Sequence, residues 1–451
     1  MRTLIRDAEV AGRRVDVLLD GERIATLGEP STIRPAARDE VIDGAGGVLM
    51  PGLHDHHLHV LAIAARSRSV DLGGDKGLAA LRDADGTGWI RGTGYDEDAL
   101  GSLDRYVLDA WVPDRPVRVQ HRSGALWVLN SAALRIVGLD GTGGESGDVE
   151  RVGGEPTGRL WRYDARLRQA LPDDNRVTPE EIAAVGRRLA SYGITGVTDA
   201  TPELDAAAAA LIDRLPQRVT LMGRTPGAPV KLHLRDHDLP SLDDLKQLIS
   251  AARERDRPVA VHCVTAESLL LTLNALQEVG ARPGDRIEHA SVVPPGVGEW
   301  MARLGVRVIT QPDFLRTRGD GYLRNVDPVD RGHLYPYAGL QAAGVPVCAS
   351  SDAPYGELDP WRVIKSASTR ETIEGDVVTA AERVTVGRAL DGYLSPVDRP
   401  GGAARTVRGG APADLVLLHV PLAEVLVDPR CDLVRATWIE GRLVGGMAGR
   451  S

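Results

Sequence analysis

The sequence predicts a parallel α/β fold placed between two β-rich ends, and three observations lead to this prediction. Segments with helical periodicity are repeatedly followed by short apolar segments across the middle of the chain. Those apolar segments are short and continuously apolar, which is typical of strands buried on both faces of a parallel sheet. Both ends of the chain show alternating strands with tight turns instead. A closed (β/α)8 barrel and an open doubly wound sheet both fit this pattern.

Both ends of the chain contain predicted strands that are joined by tight turns. Residues 1–50 contain TLIRDAEV, RRVDVLLDGERIATLG and EVIDGAGGVLM, with a hairpin signal at Asp20 and Gly21. Near the other end, ADLVLLHV and RATWIEGRLVGG are also alternating segments, rich in β-branched and aliphatic residues. We therefore predict that residues 1–50 and 396–451 form one small β-sandwich domain, which would place the chain ends together.

The middle of the chain, residues 51–395, carries the helix and strand repeats. TPEEIAAVGRRLASYG has a helix start signal, with Thr178 as cap, Pro179 next and Glu181 three after the cap, and ITGVTDA follows as a strand. No glycine-rich dinucleotide or phosphate loop follows a predicted strand, which disfavours an open sheet that binds a nucleotide cofactor. The segment from about 73 to 177 is rich in Gly and Pro turns, and we predict that it is an inserted subdomain.

The composition excludes several classes of function. The 451 residues carry a formal net charge of −9, so no basic field exists for nucleic acid or an anionic membrane, and we expect neither as a partner. The chain shows no signal-like start and no apolar run of about eighteen residues. Cys263, Cys348 and Cys431 are far apart, which is typical of a reducing compartment. We expect a cytoplasmic protein that acts on a small molecule, with a homo-oligomer as one open alternative.

Ionisable residues interrupt four of the apolar strands. Lys231 lies in APVKLHL, His262 in PVAVHCV, His289 in RIEHASV and Asp352 in VPVCASSDAP. In a barrel, the carboxyl ends of different strands converge on one mouth. Each residue alone could be a satisfied core residue, but the four together predict a shared site.

The stretch PGLHDHHLH, residues 51–59, holds four of the eleven histidines of the chain. Side chains alternate along a strand, so residues two apart share a face. One face would carry Asp55, His57 and His59, and the other would carry His54 and His56. Both faces contain a histidine pair, so alternation by itself leaves both pairs open as metal ligands.

PGLHDHHLH resembles the PG-hydrophobic-x-D-x-H-x-H signature that opens the barrel of the amidohydrolase superfamily. Other segments are similar to the YtcJ-like branch, which is related to N-substituted formamide deformylase: GWIRGTGYDED, WVLNSAAL, GEPTGRL, YGITGVTDA, RIEHASVVPP and ADLVLL. The resemblance covers essentially the whole chain in order. It implies a (β/α)8 barrel, and it selects His57 and His59, with Asp55 as a supporting residue.

The same resemblance implies a metal site. Its five ligands would be His57, His59, His262, His289 and Asp352. Lys231 occupies the place where many relatives carry a carbamylated lysine that bridges two metals; unmodified, it would bind substrate or pair with Asp352. Histidine and carboxylate ligands suit zinc, with one or two ions per chain, and iron, manganese and nickel remain alternatives.

The resemblance, with this set of ligands, implies a metal-dependent hydrolase of a non-peptide C–N bond in an amide, formamide or cyclic amide. Metal-activated water would be the nucleophile and Asp352 the general acid/base. Hydrolytic deamination of a small heterocycle is one alternative, and a non-catalytic scaffold on the same fold is another. The residues that we expect to bind substrate are Gln311, Phe314, His233 and Trp127.

Overall fold

The computed structural model describes four stretches of the chain, residues 2–73, 76–141, 148–171 and 176–446. It divides into two compact units. The first unit comprises Met1–Val60 with Ala183–Ser451, and the second comprises Leu61–Ile182. The insertion predicted at about 73–177 falls inside this second unit. Residues 447–451 of the predicted terminal domain lie outside the described residues.

The strands are numbered in chain order. In the first half of the chain they are β1 Arg2–Val10, β2 Arg13–Asp20, β3 Arg23–Gly28, β4 Glu40–Asp43, β5 Leu49–Pro51, β6 Leu53–Leu58, β7 Val70–Asp71, β8 Ile90–Tyr95, β9 Val117–His121, β10 Leu126–Leu129, β11 Val149–Val152, β12 Glu155–Trp161, β13 Ile194–Asp199 and β14 Arg218–Leu221. In the second half they are β15 Val230–His233, β16 Val259–Cys263, β17 Arg286–His289, β18 Arg307–Thr310, β19 Val347–Ala349, β20 Leu415–Leu418, β21 Val434–Ile439 and β22 Arg442–Gly446.

The α-helices are numbered in the same way. Those before β15 are α1 Val60–Arg66, α2 Ala79–Arg82, α3 Glu97–Leu100, α4 Arg105–Trp111, α5 Ser131–Ile136, α6 Asp164–Ala170, α7 Pro179–Ser191 and α8 Ala206–Ile212. Those after it are α9 Leu242–Glu254, α10 Ala266–Val279, α11 Val297–Leu304, α12 Asp313–Asn325, α13 Pro328–Arg331, α14 Ala338–Ala342, α15 Pro360–Thr369, α16 Val386–Leu394 and α17 Leu422–Val427. Short 3-10 helices cover Ala380–Glu382 and Cys431–Leu433.

Parallel strands form the centre of the first unit. One sheet has the order β14-β13-β6, and a second runs from β15 to β19 in chain order. Just after β19, the last strand of the second sheet, two backbone hydrogen bonds reach β6 and the residue that follows it. His59 N donates to Ala353 O and Asp352 N donates to His57 O, each over 2.9 Å. These bonds join the end of β6 to the residues that follow β19. The predicted parallel α/β class is confirmed.

Polar caps fix where the helices between these strands begin. The predicted capping box of α7 is present: Thr178 N donates to Glu181 Oε2 over 2.8 Å, and Glu181 N donates to Thr178 Oγ1 over 3.3 Å. Ser241 caps α9 by accepting from Asp244 N. In the described residues, no helix is both long and apolar enough to cross a membrane.

Both ends of the chain contribute to one hydrophobic cluster. Two further sheets have the orders β3-β2-β1-β4 and β22-β21-β20-β5. Ile5 and Leu19 from the first sheet share the cluster with Leu415 and Trp438 from the second, and all four are buried. We propose that this cluster is the core of the predicted terminal β-sandwich domain.

The second unit has a sheet and core of its own. Its strand order is β11-β12-β10-β9-β8-β7. One cluster packs Leu108 and Val119 with neighbouring aliphatic residues, and another surrounds Leu134 and Leu160. These clusters give the inserted segment a hydrophobic interior, so it is more than a surface loop.

Arg370, at the end of α15, leads to a prediction about stability. Its guanidinium is 1% exposed and donates to the carbonyls of Leu334, Tyr335 and Val378 and to Thr379 Oγ1, with distances of 2.7 to 3.0 Å. Arg370→Met leaves these buried acceptors without donors, so we expect a loss of about 3 kcal/mol or more. The loss would be measured as a lower urea midpoint of unfolding.

Arg303 provides the matched control for this experiment. It lies on α11 and is exposed, so Arg303→Met should change stability by less than about 0.5 kcal/mol. An equal shift in both variants would contradict the role given to Arg370.

Candidate metal centre

His57 in strand β6 and His59 just after it both face Asp352. His57 Nε2 lies 3.6 Å and His59 Nε2 lies 3.2 Å from Asp352 Oδ1. The imidazole rings of the two histidines are 5.6 Å apart. Burial lowers the pKa of His57 to about 3, so its ring is neutral and has a nitrogen lone pair available for a metal.

The other histidine pair of this strand faces away. His54 Nε2 lies 2.9 Å from Thr198 Oγ1, and His56 Nε2 lies 3.0 Å from Ser395 Oγ. Gly196 makes room for His54, because a Cβ atom there would lie 2.4 Å from His54 Nδ1. The structure therefore separates the two pairs that strand alternation left open.

His289 and Asp352 complete a compact group with His57. His289 ends β17 and Asp352 follows β19, with φ angles of 73° and 51° in the left-handed region. His289 Nδ1 lies 4.0 Å from Asp352 Oδ2. One ligand atom from each of His57, His289 and Asp352 can be chosen so that all lie within 4.8 Å of one another.

The neighbouring histidines favour the ionised form of Asp352. Burial alone would raise the pKa of Asp352, but His59, His57 and His289 together outweigh burial and lower that pKa. Asp55 behind it differs, because burial raises the pKa of Asp55 to about 6. The Asp55 carboxyl accepts from His57 N over 3.1 Å and from Ser351 N over 3.3 Å. Asp55 thus supports both the strand segment that carries His57 and the segment that carries Asp352.

Lys231 lies on β15 and its charged end belongs to the same buried region. Its side chain is partly exposed as a whole, but Nζ is buried and has no hydrogen-bond partner among the described residues. Burial lowers the pKa of Lys231, against the opposing effect of the Glu288 and Asp352 carboxylates. The structure therefore places this amine where it interacts electrostatically with the predicted acid/base.

His262 and His233 extend the histidine group across β16 and β15. The His262 ring centroid is 4.4 Å from that of His289 and 4.5 Å from that of His233. The two residues are direct partners in the strand register. His262 lies beside the compact group without belonging to it, and His233 is exposed.

The other three predicted substrate residues are placed differently. Gln311 is fully buried; its Oε1 lies 2.7 Å from His289 Nδ1 and its Nε2 donates to Ser350 Oγ over 2.9 Å. Gln311 is therefore a partner of His289, because both ends of its amide are engaged. This corrects the prediction that it lines an open pocket.

Phe314 and Trp127 are packed in hydrophobic clusters, and each is 4% exposed. Phe314 starts α12 beside Leu315 and Leu334, with the Arg318 guanidinium 3.8 Å from its ring centroid. Trp127 lies in the second unit on β10, a strand with partners on both sides. Burial corrects both predictions, since neither ring offers an open face.

Sequence reasoning missed the residues behind the histidines. The Glu288 carboxylate contacts His57 Nδ1, and Thr201 Oγ1 lies 3.0 Å from His59 Nδ1. Arg286 in turn pairs with Glu288. A signal existed for this pair: two opposite charges stand two residues apart in the strand RIEH, so both share the face opposite His289.

The donor set fits a divalent metal. It combines neutral imidazole nitrogens with a carboxylate, which are ligand types that zinc and related metals prefer. Asp352 Oδ1 is buried and has no partner with hydrogen-bond geometry among the described residues, although His57 and His59 nitrogens lie close to it. A buried carboxylate oxygen with no hydrogen bond is costly, and a coordinated cation would remove that cost.

Comparison with known proteins identifies the family of this chain. Residues 40–445 match the model of the Amidohydrolase family, so the chain belongs to that family. It is 25% identical over 489 residues to the N-substituted formamide deformylase of Arthrobacter pascens, covering 89% of each chain. It is 24% identical over 400 residues to the putative amidohydrolase YtcJ of Bacillus subtilis (strain 168), covering 74% of this chain and 75% of that one.

A solved structure shows the same fold. An uncharacterized metal-dependent hydrolase from Pyrococcus horikoshii OT3 has a TM-score of 0.73 at 22% identity, over 98% of this chain and 100% of that chain. The predicted membership of the amidohydrolase superfamily, in its YtcJ-like branch, is confirmed. The predicted class, a hydrolase of C–N bonds other than peptide bonds, is confirmed at the level of the family.

Proposed function

We propose that this protein is a metal-dependent hydrolase that cleaves a non-peptide C–N bond in a small molecule, with Asp352 as general acid/base. The observation that carries the proposal is the group formed by His57, His289 and Asp352, whose ligand atoms lie within 4.8 Å of one another. The relative named N-substituted formamide deformylase supports an amide or formamide as the substrate.

We infer that the two parallel sheets close into a (β/α)8 barrel. The backbone bonds from His59 N to Ala353 O and from Asp352 N to His57 O support closure between β6 and β19. Gly223 N donates to Pro229 O over 2.7 Å, which supports closure between β14 and β15. In such a barrel the proposed ligands lie at the carboxyl ends of the strands, where barrel enzymes have their active sites.

The residues that would hold the metal share this end of the strands: His57, His59, His262, His289 and Asp352. Zinc is our first choice, with one or two ions per chain. When bound, a divalent metal lowers the pKa of water toward neutrality and polarises a substrate carbonyl.

Asp352 would move the proton. As a carboxylate, it accepts the proton from the water that attacks the carbonyl carbon, and it then delivers that proton to the leaving nitrogen. A C–O bond forms, the C–N bond breaks, and the carboxyl returns to its starting state. The lowered pKa of Asp352 supports only the ionised state in which the carboxyl begins this cycle.

Lys231 has two candidate roles in this scheme. Only a neutral amine reacts with carbon dioxide to form a carbamate, and burial lowers the pKa of Lys231 in the direction that this reaction requires. As a carbamate it would be a further ligand, and as an ammonium group it would bind substrate or pair with Asp352.

Metal analysis and activity on simple amides test the proposal together. Purified protein from cells grown with zinc or manganese should contain one to two equivalents of metal. Chelation should abolish hydrolysis of a panel of N-substituted formamides and cyclic amides, and adding the metal back should restore it. Less than about one tenth of an equivalent, with no gain on adding metal, would contradict the proposal. Ammonia release from a heterocycle, with the amides untouched, would favour deamination instead.

A further inference from the structure

We propose that Glu288 and Arg286 are positioning residues that hold His57 with its proton on Nδ1 and its lone pair on Nε2. The inference rests on the proposed function in one respect, since the benefit of a free Nε2 is metal binding. The geometry of the pair is independent of that function.

Contacts on strand β17 lock the Glu288 carboxylate in place. Its Oε2 contacts His57 Nδ1, while Arg286 Nε donates to its Oε1 and Arg286 Nη2 donates to its Oε2 over 3.2 Å. Arg286 Nη2 also donates to His56 O over 2.6 Å, so the same guanidinium is tied to β6. Glu288 is fully buried and Arg286 is nearly so, and burial limits the access of solvent to these bonds.

The chemistry of the carboxylate decides the proton position. An ionised carboxylate has acceptors and no donor, so the imidazole nitrogen that contacts it must carry the hydrogen. His57 Nδ1 is then protonated, and Nε2, which faces Asp352, has the lone pair. Arg286 keeps the carboxylate ionised by balancing its charge inside the protein.

Three histidines of this region, His57, His59 and His289, have different partners at Nδ1. His57 has a carboxylate, His59 has the Thr201 hydroxyl and His289 has the Gln311 amide. A hydroxyl can donate or accept, whereas the carboxylate can only accept. His57 therefore has a tautomer fixed by charge, and a carboxylate partner also makes the imidazole a stronger ligand.

A glutamine at position 288 cannot reproduce these bonds. If its amide oxygen faced His57, its NH2 group would point at the donating Nε of Arg286. If the amide were reversed, the NH2 group would point at His57 Nδ1 and would favour the other tautomer. Glu288→Gln thus changes few atoms, but it either sets two donors against each other at Arg286 or favours the other tautomer of His57.

The test compares Glu288→Gln with a matched control, Asp285→Asn. Asp285 is also fully buried and paired with an arginine, Arg253 at 2.6 Å, but it contacts none of the proposed ligands. We expect Glu288→Gln to weaken zinc binding, measured by competition with a chelator, by about 10- to 100-fold. Asp285→Asn should reduce thermal stability and leave the zinc affinity of the folded protein within about twofold of the unsubstituted protein.

A spectroscopic readout in metal-free protein separates this inference from the proposed function. With 15N-labelled histidine, the His57 signals, identified by their absence in His57→Ala, should show the Nδ1–H tautomer, and Glu288→Gln should shift them toward Nε2–H. An unchanged tautomer in Glu288→Gln would overturn the inference, as would equal losses of zinc affinity in both variants. If the unsubstituted protein bound no metal but showed this shift, the proposed function would fail and the positioning role would stand.

A double variant covers the case in which Glu288→Gln does not fold. In Arg286→Met with Glu288→Gln the conflict is removed, so the amide oxygen can face His57 and the Nδ1–H tautomer should persist. Zinc affinity should still fall, because the charge is gone. Affinity equal to that of the unsubstituted protein would show that the carboxylate is not needed and would overturn the inference.

Discussion

Asp352→Asn is expected to lower turnover per bound metal by about 10²- to 10⁴-fold, the range that general acid/base catalysis contributes. The amide cannot accept the proton of the attacking water or deliver one to the leaving nitrogen. The substitution also removes the carboxylate next to His57 and His59, so we expect weaker metal binding as well. The measurement is kcat on the best amide substrate, divided by metal content from elemental analysis.

Asp359→Asn is the control for this substitution. Asp359 caps α15 by accepting from Trp361 N, and asparagine caps helices about as well. Turnover should stay within about twofold, because the cap is preserved. Full turnover per metal in Asp352→Asn would refute the acid/base assignment.

The second large effect is expected from His57→Ala, compared with His54→Ala in the same strand. Removal of His57 takes away a proposed ligand, so bound metal should fall below about one tenth of an equivalent and turnover by about 10³-fold. His54 is also buried, but it is hydrogen-bonded to Thr198. His54→Ala should therefore reduce stability by about 1 to 3 kcal/mol, and the variant should retain the metal.

This pair of variants tests the strand register directly. Metal content after dialysis and thermal unfolding would be measured on both proteins. Loss of metal in His54→Ala with retention in His57→Ala would reverse the assignment of the two faces.

The fold class could be predicted because it depends on local pattern. The alternation of β6, the capping box at Thr178 and Glu181, and the short buried strands are all properties of neighbouring residues. Choosing between the two histidine faces required the resemblance, since both faces satisfied alternation. The structure then showed which pair faces Asp352.

The residues that support the ligands could not be predicted in the same way. Glu288 on β17 meets His57 on β6, and these two strands are distant in sequence and belong to different sheets, so nothing near either residue encodes the meeting. Gln311 was placed in the pocket because it follows β18, but its amide bonds His289 and Ser350 instead. Phe314 and Trp127 had the right residue type for a pocket, and only the packing of their neighbours shows that they are core.

The position of the second unit in the chain has a consequence for folding. Strands β6 and β13 are hydrogen-bonded neighbours, although Leu61–Ile182 lies between them. Closing a longer loop adds little entropy cost, but pairing across it is slow, because distant segments must meet. During synthesis, His57 and His59 leave the ribosome before β19 and Asp352, so we expect the proposed metal centre to be assembled only after Asp352 has emerged.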